Sequence, residues 1–129
     1  MIEFRFRLRK RYAEWHEDKN HHNLEYEGEF DILINGEIYF HDDFFVIYEF
    51  LEAALAWSQS INDKCLYYNC IDTDDNPLIS FVHINNDGWQ IFSPWQKFRC
   101  NYLFSKKDLA HAVENLNVQV ENACRMNHN

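Results

Sequence analysis

Residues 2–9 read I-E-F-R-F-R-L-R, and residues 24–34 read L-E-Y-E-G-E-F-D-I-L-I. In the first stretch Ile2, Phe4, Phe6 and Leu8 alternate with Glu3, Arg5, Arg7 and Arg9. In the second, Leu24, Tyr26, Gly28, Phe30, Ile32 and Ile34 alternate with Glu25, Glu27, Glu29 and Asp31. Successive side chains of a strand point to opposite faces, so strict period two marks a strand with one buried face. Asn35-Gly36 follows, the strongest short hairpin signal, and residues 37–41 (EIYFH) return as a third strand. If the first two strands pair antiparallel, Arg5, Arg7 and Arg9 lie opposite Glu25, Glu27 and Glu29. Each such cross-strand pair is worth roughly 0.2–1 kcal/mol, so the match sets register more than stability. Gly28 in mid-strand predicts a bulge or bend.

Beyond the third strand the period changes. Phe44, Ile47, Tyr48, Leu51 and Leu55 lie at helical spacing, and the run AALA (53–56) favours helix. The spacing predicts a helix over about 44–60, with Asp42 or Asp43 capping its first N–H groups. Residues 65–71, 78–84, 89–94 and 97–104 read as further strands, separated by turn-rich runs at 72–77 and 85–88. Ser105-Lys-Lys-Asp108 resembles a capping box with Asp for Glu. Leu109, Ala112, Val113, Leu116, Val120 and Ala123 then follow at helical spacing, predicting a helix over about 106–124. The order is β-β-β-α-β-β-β-(β)-α. It implies one α+β domain over 1–129, with an antiparallel sheet of about six or seven strands and both helices on one face.

The chain has 129 residues, 47% hydrophobic and 17% aromatic, enough for a real core around large rings. No apolar run approaches the roughly 20 residues of a membrane span. The alternating N-terminal stretch lacks the apolar block of an export signal. A cytoplasmic setting follows, with Cys65, Cys70, Cys100 and Cys124 as free thiols.

The net charge is −9, and it is divided. Arg5, Arg7, Arg9, Lys10 and Arg11 open the chain. Between Glu14 and Asp75 sixteen acidic residues stand against Lys19 and Lys64, a balance of −14. Such a domain repels nucleic acid and anionic membranes and suits a basic partner.

Catalytic and metal motifs fail on specific residues. Asp72-Thr-Asp74-Asp75-Asn76-Pro77 starts like a calcium loop. The sixth place needs Gly for the sharp turn and the twelfth needs Glu for two oxygens; here they are Pro77 and His83. Cys65 and Cys70 lack the paired short spacings of a zinc site. His16, His21 and His22, near Glu17 and Asp18, read as a hydrated connection between strands. Cys70 or Cys100 with His83 makes a conceivable nucleophile pair, without a local signature. Three isolated glycines build no phosphate cradle. In the aromatic run 89–98, Trp89, Ile91 and Phe98 read as core, and Trp95, just after Pro94, reads as half exposed and suited to anchor an interface.

The run IDTDDNPLISFVHINNDGWQIFSPWQKF (71–98), followed by FSKKDLAHAVENLNVQV (104–120), resembles small bacterial proteins. Some of these are immunity proteins that neutralise a toxin. The resemblance spans about residues 24–120. It implies an α+β fold without catalysis and carries over no functional residue.

The expected function is non-catalytic binding of a basic protein, such as a toxin with a positively charged cleft. The docking groups are Asp42, Asp43, Asp72, Asp74, Asp75, Asp87 and Trp95. No metal, cofactor, nucleic acid or membrane is expected. Two alternatives are a small enzyme or ligand-binding domain with a pocket at Tyr67, Tyr68, His83 and Trp89, and a homo-oligomeric module pairing through the edge strand 2–9.

Overall fold

The period-two stretches form strands that pair antiparallel, in a register that differs from the arginine–glutamate match expected: Arg9 falls in a register slip without a Cα partner. The structure, a computed structural model, describes residues 1–11, 26–70 and 73–126. Strands β1 (Ile2–Arg11), β2 (Tyr26–Ile34) and β3 (Glu37–Val46) form an antiparallel sheet in the order β1-β2-β3. Arg5 lies opposite Asp31 and Arg7 opposite Glu29. Asn35 and Gly36 take φ of 52° and 83°, the left-handed pair that a two-residue hairpin turn demands. Phe4, Phe30, Ile32, Phe40 and Phe45 are buried. The histidine-rich connection, Glu25 and Asp72 lie outside the described residues.

β3 runs past residue 41 because β2 goes on pairing with it. Ile32 faces Phe40 while Leu33 faces Ile38, so Tyr39 is an extra residue in β3. Gly28 faces Phe45 while Phe30 faces Asp42, so Asp43 and Phe44 share the place opposite Glu29. These two bulges explain why Tyr39 and Phe40 are both buried, and why Phe44 is exposed beside buried Phe45. Helix α1 (Ile47–Gln59) therefore starts three residues later than its spacing predicts. The expected Asp cap is corrected too: Val46 is the N-cap and makes no side-chain cap bond. Asp42 instead accepts a hydrogen bond from Phe44 N within the bulge (3.0 Å).

Strands β4 (Leu66–Tyr68), β5 (Ile79–Asn85) and β6 (Gly88–Phe92) form a second antiparallel sheet in the order β4-β5-β6. The single sheet of six or seven strands is thus two sheets of three. Residues 97–104 are not a strand. They meet β6 at one bridge, Trp89 with Phe104, and the Gln90 side chain donates to Cys100 O (2.8 Å). The turn closed by Gln96 N donating to Ser93 O turns the chain toward β3, where Lys97 N donates to Tyr39 O.

Both sheets share one core. Phe4 of the first stacks parallel to Phe81 of the second, centroids 6.1 Å apart. Phe50 of α1 packs against Phe4, Phe30 and Phe45 on one side and Tyr68 and Phe81 on the other. Helix α2 (Lys106–Met126) closes the core with Leu109, Ala112, Val113, Leu116 and Val120. Its cap is the expected one, with Ser105 Oγ accepting from Asp108 N (3.0 Å). The Lys106 ammonium donates to the carbonyls of Ser60 and Asn62 just past α1, and lies 5.2 Å and 5.8 Å from the ring centroids of Trp57 and Trp89. One cation thereby joins the end of α1 to the start of α2.

Gly28 sits where β1 also slips register, between Leu8 and Lys10. A Cβ there would lie 2.1 Å from the backbone oxygen of Arg7 and 2.9 Å from Phe6 Cε1. Backbone cannot yield as a flexible side chain can, so Gly28→Ala should cost about 3 kcal/mol, the upper end of overpacking. Urea unfolding checks this; an unchanged midpoint would mean that β1 can shift away from β2 at no cost.

Candidate functional site

Four of the acidic residues singled out from the sequence, Asp42, Asp43, Asp75 and Asp87, make local side-chain hydrogen bonds. Asp42 holds the β3 bulge. Asp43 Oδ1 accepts from His41 Nε2 (2.8 Å) and lies 3.9 Å from Arg9 Nη2. Asp75 Oδ2 accepts from Trp95 Nε1 (2.9 Å), and the Trp95 ring stacks on Phe40. Asp87 Oδ1 accepts from Lys106 N at the start of α2 (3.4 Å). The Asp74 side chain is exposed, and its backbone carbonyl accepts from Asn76 N. The structure joins Asp75 to Trp95 and sets Asp42 beside Asp43 on β3.

The turn that opens like a calcium loop is organised by Asn76. Its amide donates to Cys70 O and Thr73 O and accepts from Cys70 N. Among the described residues no group of three or more His, Cys, Asp or Glu is placed to hold a metal. His83 Nε2 donates to Asn86 O, and Cys70 and Cys100 are buried. Burial pushes the Tyr39 phenol up to about 12 and raises that of Tyr68 as well, so both stay protonated at neutral pH. Tyr67 and Tyr68 point to opposite faces of β4, one exposed and one buried, and Trp89 is fully buried. These residues do not line one aromatic pocket.

On the solvent face of the first sheet, Glu29 holds Arg9 at 2.7 Å and Arg7 at 3.4 Å. Arg5 turns to Glu3 on its own strand (3.3 Å) rather than to Asp31 opposite it, because His41 Nδ1 lies 2.5 Å from Asp31. His41 thus donates from both ring nitrogens to carboxylates, which requires the imidazolium form and leaves no lone pair for a metal or a proton. The Asp31 hydrogen bond, followed by that of Asp43, raises its pKa above 6.5 against opposing desolvation.

The concave surface lies elsewhere, along the seam of β1 and α2. A groove of about 830 Å³ is lined by Ile2, Glu3, Asp108, His111, Asn115 and Gln119, with Met1, Ala112 and Val118. A smaller hollow of about 130 Å³ lies along β1 at Arg5, Phe6 and Arg7, and Gln119 lines both. Among the described residues β1 is an edge strand, with β2 on one side only. Met1 O accepts from Asn35 N, so the hydrogen-bonded pairs with β2 fall at Met1, Glu3, Arg5 and Arg7. The polar groups of Ile2, Phe4 and Phe6 face away from β2. Gln119 takes two of them: its Oε1 accepts from Phe6 N (3.0 Å) and its Nε2 donates to Phe4 O (2.8 Å). Its amide stands in for the N–H and C=O of one residue of a parallel neighbouring strand. His111, Asn115 and Gln119 follow at four-residue spacing along α2. The sequence carries that polar stripe, but nothing in it says that the stripe faces a strand edge.

Residues 2–126 match a family described as a domain of unknown function, DUF7878. The chain belongs to this family. No curated protein and no solved structure is detectably similar to it. No helix among the described residues is long and apolar enough to cross a membrane.

The raised pKa of His41 makes stability depend on pH. A raised folded pKa gives stabilisation that is complete below the unfolded value near 6.5 and lost as pH rises through the folded value. His41→Gln should therefore be less stable than the native chain at about pH 6, and the gap should narrow as pH rises through the raised folded pKa. Urea unfolding across that range, with a histidine NMR titration, checks both; a gap that widens with pH would contradict it.

Proposed function

We propose that this DUF7878 chain is a non-catalytic protein-binding domain that docks a basic partner in the groove between β1 and α2. The supporting observation is the groove's lining: among the described residues its charged side chains are Glu3, which also pairs with Arg5 at 3.3 Å, and Asp108, and neither Lys nor Arg lines it. It opens on a chain of net charge −9. Complementary charge of this kind steers association and raises on-rates at low salt. A toxin with a positively charged cleft is one partner of suitable chemistry, which makes immunity one form of this role. Nucleic acid and anionic membranes are repelled by the same field. The four free thiols favour a cytoplasmic setting.

The test compares two charge-matched double variants. Glu3→Gln/Asp108→Asn removes two charges inside the groove, and Glu52→Gln/Asp63→Asn removes two exposed charges outside it. Binding of a fluorescent four-lysine peptide is read by anisotropy at low and high salt, with a four-glutamate peptide as control. The lysine peptide should bind and weaken with salt. The groove variant should lose at least about fivefold in affinity, about 1 kcal/mol, and the remote variant less than about twofold. Equal losses, or equal binding of the glutamate peptide, would contradict the proposal.

A further inference from the structure

Gln119 satisfies part of the β1 edge and leaves the rest. It engages Phe4 O and Phe6 N. The N–H and C=O of Ile2 and the N–H of Phe4 also face away from β2, and they find no partner among the described residues. Unpaired edge groups are a template for another strand. Ile2 and Glu3 line the groove, facing Asp108, His111 and Asn115 of α2. A four-residue step along a helix rises about 6 Å and a two-residue step along a strand about 6.7 Å. Moving from Gln119 to Asn115 thus matches moving from the Phe4–Phe6 place to the Ile2–Phe4 place. At that second place no side chain among the described residues bridges the strand, and the groove lies there instead.

We infer that the Ile2–Phe4 edge of β1 binds an extended, basic peptide segment as an added strand. The inference rests on the basic-partner reading above and names its mode of binding. The peptide backbone pairs with Ile2 and Phe4, as Gln119 pairs with Phe4 and Phe6. Its Lys or Arg side chains meet Glu3 and Asp108, and its apolar side chains lie on Ile2, Ala112 and Val118. Main-chain hydrogen bonds then carry affinity, and the side-chain positions carry selectivity. The groove's volume, about 830 Å³, lies within the roughly 300–1,000 Å³ of sites that enclose small ligands. Gln119 marks the far end of the added strand, because it already occupies the next place.

The test uses the full chain and two octapeptides of alternating Lys and Val, one with an ordinary backbone and one N-methylated at every residue. Both carry the same charge and side chains, but the second cannot donate backbone hydrogen bonds. The ordinary peptide should bind at least tenfold more tightly. On binding it, the Ile2 and Phe4 amides should exchange hydrogen at least tenfold more slowly, while Phe6 changes little. Equal affinities with no change at Ile2 and Phe4 would overturn strand addition and leave a basic partner in place. If neither peptide binds, both readings fall. A solution mass of two chains, with Ile2 and Phe4 protected without peptide, would assign the edge to a second copy and overturn the proposal.

Discussion

The Gln119 amide lies across the open edge of β1, and the arrangement of the seam depends on it. Its two hydrogen bonds join residues 113 and 115 positions apart in the chain. A buried or half-buried strand edge cannot leave its polar groups without partners at no cost. The apolar stripe of α2 (Leu109, Ala112, Val113, Leu116 and Val120) supplies the burial that holds the helix down. Gln119 sets where the helix lies along the strand. A slip of α2 by one turn would leave Phe4 O and Phe6 N bare. The same contact defines the groove, since whatever part of β1 Gln119 does not reach is left open.

Both partners of that seam rest on one core, β1 through Phe4 and α2 through Leu109, Val113 and Leu116. Phe4 lies on β1 between the edge and Phe81 of the second sheet, and Phe50 of α1 packs against both. Large rings let three short elements from each sheet meet over one helix without a continuous sheet between them. Charge then sorts the surfaces. On the solvent face of the first sheet, Glu29 pairs with Arg7 and Arg9, and Asp31 and Asp43 pair with the His41 imidazolium, in partly exposed contacts each worth little. Around the groove the charged side chains among the described residues are Glu3, which also pairs with Arg5, and Asp108.

The parts of the fold legible in the sequence are those with unbroken periods. β1 and β2 keep period two, Asn35-Gly36 turns as its residue types demand, and α2 keeps helical spacing behind its Ser105 cap. β3 was legible only to residue 41, because the bulges at Tyr39 and at Asp43–Phe44 break the alternation and place a helical-looking Phe44 on a strand. Residues 97–104 alternate in sequence yet pair only at Phe104, since pairing depends on a distant partner and not on local pattern. The turn acids read as docking groups, but Asp42, Asp43, Asp75 and Asp87 have local partners. Gln119 was illegible for the converse reason: a polar residue on a helix gains its role from a strand more than a hundred residues away.

Hydrogen exchange along β1 in the free protein tests this account most directly. Glu3, Arg5 and Arg7 face β2 and should exchange slowly, and Phe6, held by Gln119, should be slow as well. Ile2 and Phe4 should exchange much faster, although their side chains are as deeply buried as those of residues around them. A Phe4 amide as slow as that of Phe6 would mean that the edge is already closed, and it would contradict an open strand edge beside α2.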